Sequence, residues 1–206
     1  IAATYSPMMN HQIELALNNE QLVWANNKKI IKVTDFNFKL SGDAKQHQVN
    51  INWLGDIGGQ LALTGHFDNN LTHWQSSIEK SALVYKDRFL AIEKAFALHF
   101  NFTSNTGEIA NHCWQGVGVS ACLLNDSAIG KSGDISVDVT TDLSLIDELF
   151  LPKEFDLISQ LKGNIKTTWS EQQPLKTNAD FYLSPGYIKV NDELSEYTLS
   201  QWSQGI

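Results

Sequence analysis

The chain's two cysteines, Cys113 and Cys122, lie in the run Asn111-His112-Cys113-Trp114-Gln115-Gly116-Val117-Gly118-Val119-Ser120-Ala121-Cys122-Leu123-Leu124. Glycines between them and apolar residues after each are the pattern of a disulfide across a β-hairpin. The chemistry is oxidation of two thiols that face each other from paired strands. Such a bond closes a loop of roughly ten residues and stabilises by about 2 to 3 kcal/mol on the chain-entropy account. It also implies an oxidising compartment. The alternative is a pair of buried, unpaired thiols. A zinc site requires four ligands, and one cysteine pair with the neighbouring His112 falls short at a spacing foreign to zinc knuckles.

Other residues suggest chemistry and then fail its geometric requirements. Asn125-Asp126-Ser127-Ala128-Ile129-Gly130-Lys131-Ser132 ends like a phosphate-binding loop. Asn125 stands where that loop needs its first glycine, and Asp134-Ile135-Ser136-Val137 continues as a strand where a helix N-terminus is needed. Gly55, Gly58 and Gly59 read as a hairpin turn, so a dinucleotide site is not expected. His66, Asp68 and His73 flank a strand end and read as polar surface. Asp147 and Glu148 are adjacent on a short predicted helix and point in different directions, unlike the paired carboxylates of a glycosidase. No Gly-x-Ser-x-Gly elbow occurs, and a cysteine nucleophile conflicts with the disulfide. The expectation is a protein without catalytic residues, metal or cofactor.

The elements that carry these residues are strands. From about residue 30 the dominant period is two. Phe36, Phe38 and Leu40 alternate with Asn37 and Lys39; Val49, Ile51 and Trp53 alternate with Asn50 and Asn52; Leu61, Leu63, Gly65 and Phe67 follow. Phe96, Leu98, Phe100 and Phe102 make the strongest apolar stripe, and Ile135, Val137 and Val139 another. Leu161, Ile165 and Trp169, then Leu175, Ala179, Phe181 and Leu183, then Ile188 and Val190 complete the series. Short turns rich in Gly, Asn and Asp separate them, which predicts about ten to twelve antiparallel strands. One short helix is expected from Asp142 to Phe150, stopped by Pro152. The period of Leu83 to Ile92 is ambiguous between a hairpin around Lys86-Asp87-Arg88, the preferred reading, and a short helix; residues 1–30 read as an incomplete strand pair. The fold class is therefore all-β. A sheet with one apolar face must cover it, as a sandwich, a closed barrel, or a curled trough that something else fills; a sandwich or barrel is the commoner solution.

A formal charge of -8, with fifteen basic residues scattered along the chain, opposes capture of nucleic acid, which needs clustered Lys and Arg. No apolar run reaches the roughly 18 to 20 residues that span a bilayer as a helix. The chain begins Ile1-Ala2-Ala3 and ends Gly205-Ile206, so it reads as a soluble piece of a longer protein, with any anchor upstream.

Several landmarks together resemble a known family. They are His112-Cys113-Trp114 with Cys122-Leu123, Asp142-Leu143 leading to Leu149-Phe150-Leu151-Pro152, Leu161-x-Gly163, Trp169, Pro174-Leu175, and Gly186-Tyr187-Ile188-Lys189-Val190. In order and spacing they are similar to the central part of the TamB family of AsmA-like, bridge-type proteins. The likeness is best over residues 108–193 and rests upstream on the strand pattern, Gly65 and Trp74.

The resemblance implies a long antiparallel sheet curled into a taco-like groove, with residues 1–206 as one segment of a larger periplasmic protein anchored in the inner membrane. It implies phospholipid acyl chains as cargo moving between the two membranes, a TamA-like outer-membrane barrel as partner through other parts of the full chain, and a role in outer-membrane protein assembly. The residues expected to line the groove are Phe36, Phe38, Leu40, Val49, Ile51, Leu61, Leu63, Phe96, Leu98, Phe100, Ile135, Val137, Val139, Leu161, Ile165, Phe181, Leu183, Ile188 and Val190. Two other readings stand beside it. One is a chaperone-like scaffold whose strand edges pair with unfolded outer-membrane proteins. The other is a carbohydrate-binding sandwich using Trp74 or Trp202.

Overall fold

The computed structural model describes residues 2–6, 12–25, 30–86, 88–145, 155–190, 193–197 and 202–205. Among these residues the chain forms nineteen strands. The first six are β1 (Ala2–Ser6), β2 (Gln12–Ala25), β3 (Ile30–Gly42), β4 (His47–Gly55), β5 (Ile57–Phe67) and β6 (His73–Tyr85). Then come β7 (Arg88–Ile92), β8 (Phe96–Asn101), β9 (Thr106–Ile109), β10 (His112–Gly116), β11 (Val119–Leu123), β12 (Ser127–Gly130) and β13 (Gly133–Asp142). The last are β14 (Phe155–Ile158), β15 (Gln160–Ser170), β16 (Gln173–Leu183), β17 (Gly186–Val190), β18 (Glu193–Tyr197) and β19 (Trp202–Gly205).

Sixteen strands share one antiparallel sheet that runs from β1 through β2, β3, β4, β5, β6, β7, β10, β11, β13, β15 and β16 to β19, with β8, β9 and β12 joined at its side. Among the described residues no ladder joins β1 to β19, so the sheet is open and curled, not a barrel. The expected hairpin of residues 83–92 forms as β6 and β7. The first residues form β1 and β2, which pair with each other and continue onto β3.

More strands form than the turn spacing predicts, because long crossings of the sheet are broken midway. β6 pairs β8 through residues 73–78 and β7 through residues 82–85, so β7 and β8 are halves of one crossing interrupted at residues 93–95. β9 and β10 break at residues 110–111, and β11 and β12 at residues 124–126. Beside them Glu79 is bulged, since Ala62 pairs Lys80 while Leu63 pairs Ile78. The breaks line up: the Glu93 amide donates to the Cys113 carbonyl at 3.1 Å, the Ala110 amide to the Ala97 carbonyl at 2.9 Å, and the Asn111 amide to the Asp126 carboxylate at 2.8 Å. Bulges bend a sheet and sharpen its twist. Here the bulge at Glu79 and the aligned strand breaks form a transverse crease, along which apolar side chains are most buried. Ile78 and Leu123 are each only 7% exposed there, and the Phe96 and His112 rings stack with centroids 3.7 Å apart.

A second break separates β14 from β15 at Ser159, and β16 from β17 at Ser184 and Pro185. Side chains replace the ladder at that point. The Ser159 hydroxyl donates to the Ser184 carbonyl at 2.7 Å, and the Gln160 amide to the Ser184 hydroxyl at 3.0 Å. Beyond it β14, β17 and β18 form a separate three-stranded sheet.

Two local expectations change. Gly58 and Gly59 lie inside β5, leaving Gly55 and Asp56 as the turn. The reason is contact: Gly59 is the cross-strand partner of Trp53, and a Cβ at Gly59 would fall inside the indole. Asp142 ends β13, and the described helical residues are Ser144 and Leu145; the rest of the helix expected to Phe150, with Asp147, Glu148 and Pro152, falls outside the described residues.

Among the described residues no second layer covers the sheet. The chain exposes 13949 Å², against about 9,700 Å² for a compact monomer of its mass by the usual size scaling. Among the described residues no large side chain is fully buried.

Candidate functional site: one apolar face shared by the strands

Directly paired residues of antiparallel strands point to the same side of the sheet, so the register assigns the faces. Leu17, Phe38, Ile51 and Leu61 are successive partners across β2 to β5. So are Leu15, Leu40, Val49, Leu63, Ile78 and Phe96 across β2 to β8. Phe100 and Leu98 pair Trp74 and Ser76 of β6 on that side. Past the crease, Leu123, Val137, Ile165 and Ala179 form one row, and Trp114, Ala121, Val139, Gly163 and Phe181 the next. Thr141, Leu161 and Leu183 form another. A further row links both sides of the crease: Trp53, Gly59, Leu83, Leu90, Gly116, Val119 and Thr141.

The expected stripes, with Phe36 beside Phe38 and Ile135 beside Val137, are thus one face of one sheet. At about 4.8 Å per strand step that face runs for roughly 50 Å from β2 to β16. Exposure alternates with it. In β16, Thr177, Ala179, Phe181 and Leu183 are half-buried while Asn178, Asp180 and Tyr182 are exposed. Ile188 and Val190 belong to β17 in the smaller sheet, and their side chains fall outside the described residues.

Leu83, Leu90, Trp114 and Leu123 belong to this face and were not among the expected lining. Leu83 and Leu90 sit in a segment whose period is ambiguous, and Trp114 reads first as a neighbour of Cys113. The missing signal is pairing: the broken crossings put these side chains in phase with the longer stripes.

Cys113 and Cys122 are disulfide-bonded direct partners with Cα atoms 4.1 Å apart. They project to the other, polar face, next to Asp138 across β13. The hairpin that brings them together turns at Val117 and Gly118, where Gly118 has a φ of 71° that favours glycine. The bond therefore clamps β10 to β11 immediately beside the crease without entering the apolar face. The polar face around it is a lattice of short contacts. The Asn164 amide donates to the Asp138 carboxylate at 2.6 Å and to the Ser136 hydroxyl at 3.0 Å; far along the same face, on β2 and β3, Lys39 pairs Glu14 at 3.2 Å. Leu54, Val84 and Phe89 interrupt that polarity, at 61%, 41% and 52% exposure. Leu54 and Val84, with Asn52, Gly58, Gln60 and Ala82, line a cleft of about 970 Å³.

His47 and His73 make structural contacts. His47, buried at one end of the apolar face, accepts from the Trp74 indole N–H on Nε2 at 2.9 Å, so its Nδ1 carries the proton and donates to the Asp43 carbonyl at 3.1 Å. Trp74 is committed to that contact and is half-buried. Asp68 caps the turn into β6, accepting from the Thr72 and His73 amides, the Thr72 hydroxyl and the His73 ring. Among the described residues no three His, Cys, Asp or Glu side chains are grouped to hold a metal.

The His73 amide above all, with the His73 ring and Thr72, holds the Asp68 carboxyl well below the usual carboxylate range. A depressed carboxyl contributes stability above its unfolded pKa of about 3.9 and loses it as pH falls below that value. Asp68→Ala should therefore speed amide exchange at Thr72 and His73 at neutral pH, with the difference from the unsubstituted chain shrinking in strong acid. A pH-independent difference would refute the assignment.

Among the described residues no helix is long and apolar enough to cross a membrane. No solved structure matches the chain. The translocation and assembly module subunit TamB of Haemophilus influenzae is 26% identical over 169 residues, covering 81% of this chain and 13% of that protein. The chain thus spans about an eighth of this curated relative's length. The family model described as TamB, N-terminal domain, matches residues 1–204, extending the likeness through the upstream half where the landmarks were sparse. A chain matched over nearly its whole length, with the open one-faced sheet described above, belongs to the TamB family.

Proposed function

We propose that this segment shields phospholipid acyl chains on the apolar face of its sheet, as one stretch of a longer periplasmic path between inner and outer membranes, and performs no catalysis. One observation carries the reading: an apolar face roughly 50 Å long that no second layer covers among the described residues. Burial of an acyl chain is worth about 0.8 kcal/mol per CH₂ and needs no specific polar partner, which suits a surface of Phe, Leu, Ile and Val. The residues assigned to the lining are those of the paired apolar rows, from Phe36 through Leu183. In the full-length protein, an inner-membrane anchor upstream, an outer-membrane barrel of the TamA kind, and support of outer-membrane protein assembly complete the proposal.

Photo-crosslinking tests it. A crosslinking amino acid at the positions of Phe38, Leu63 or Val137 in the full-length protein should capture radiolabelled cellular phospholipid, and one at Lys39, Asn50 or Ser136 on the other face should not. Equal capture on both faces, or none, would reject the conduit. Capture of outer-membrane polypeptide along β1 would instead favour a chaperone role.

A further inference from the structure

Glycines recur on the apolar face where a strand gains nothing from them. Glycine inside a strand weakens it, and Gly59, Gly65, Gly107, Gly133 and Gly163 are all interior strand or strand-start residues without a left-handed backbone. Each is the direct cross-strand partner of a ring: Trp53, His47, Phe100, Trp169 and Phe181 respectively. A Cβ at any of the five would come within 3.0 Å of its partner's ring. The rings therefore lie flat over bare backbone. Two of the rings are also held by hydrogen bonds: the Trp169 indole N–H donates to the Gly130 carbonyl at 3.0 Å, and the His47 ring bonds Trp74 and the Asp43 carbonyl.

We propose that these ring-over-glycine pairs set the clearance of the lipid path: each glycine lets an aromatic side chain pave the face at the height of one ring thickness, where a Cβ would stand the ring up into the space an acyl chain needs. The inference rests on the conduit reading and assigns Gly163 with Phe181, and Gly133 with Trp169, as positioning pairs for an acyl-chain ligand. A flat ring presents its apolar face to the ligand, so the pairs keep the surface apolar while lowering it. The same pairing also strengthens a sheet by covering a bare glycine, and the two roles predict different results when the ring is removed.

The test uses the full-length protein with the crosslinking amino acid at the position of Val137, one row from Gly163, and radiolabelled cellular phospholipid as the probe. Gly163→Val should reduce capture roughly fivefold or more, the scale expected for overpacking a ring by a side chain. Gly163→Val combined with Phe181→Ala should capture more than Gly163→Val and as much as Phe181→Ala alone, because the obstructing ring is gone; Phe181→Ala alone sets what loss of that lining ring costs. If the pair only stabilised the sheet, the double variant would be at least as impaired as the single one, which would overturn the proposal, as would undiminished capture by Gly163→Val. Should Gly163→Val fail to accumulate, Gly133→Ala with and without Trp169→Ala makes the same comparison. No capture in the otherwise unsubstituted protein would sink the conduit reading itself, and this inference with it.

Discussion

Val137→Asp should abolish most phospholipid passage while leaving the sheet folded. Val137 stands in the row between Leu123 and Ile165, so a carboxylate there lies in the path of any acyl chain that follows the apolar face. Stripping water from an unpaired carboxylate costs several kcal/mol. A loss of only about 1.4 kcal/mol already means tenfold weaker occupancy, so capture at Leu61 and at Leu183, on either side, should fall by at least about that factor. The neighbouring change Ser136→Asp is the control. Ser136 pairs Lys166 on the polar face, where Lys166 already meets the Asp134 carboxylate at 3.5 Å, and a carboxylate there stays solvated and outside the apolar rows. Phe38→Asp should repeat the effect nearer β1. Equal behaviour of Val137→Asp and Ser136→Asp would show that the two faces are not functionally distinct.

The disulfide yields the second large effect. Closing a loop of roughly ten residues stabilises by about 2 to 3 kcal/mol, and that contribution falls where the ladder is weakest. At Glu93, Ala110 and Asn111 the crossings are held by isolated hydrogen bonds, and Cys113 and Cys122 are the covalent link beside them. Replacing both by Ser, or adding a reductant, should increase local opening of β10 and β11 on the order of thirty- to a hundredfold, measured by hydrogen exchange in the full-length protein. The pair faces away from the apolar rows, so lipid capture at Phe38, far from the crease, should be retained. Unchanged exchange at β10 and β11 would remove the clamp from the account.

How much of this was legible beforehand depends on which interaction decides each feature. Alternation such as Phe36-x-Phe38-x-Leu40 assigns strand and face at once, because side chains alternate with a period of two whatever the partner strand. The cysteine hairpin was equally local, since a Gly118 turn and facing thiols lie within one short run. Trp53 and Gly59 were harder. Their spacing looks like a turn, and only the indole lying on the glycine shows why Gly59 belongs to the strand. Leu83, Leu90 and Leu123 fall in phase with the long stripes only through pairings between residues far apart in the chain.

Local period and the cysteine hairpin were thus set by the amino-acid sequence alone, because each depends on neighbours within one strand or one turn. Whether the apolar face closes as a core or stays open could not be, since a sandwich, a barrel and a trough bury the same alternating residues. The tertiary structure settled that through long-range register and the crease. Successive ladders extend one sheet, the bulge at Glu79 and the aligned strand breaks crease it, and among the described residues no second layer covers the rows on either side.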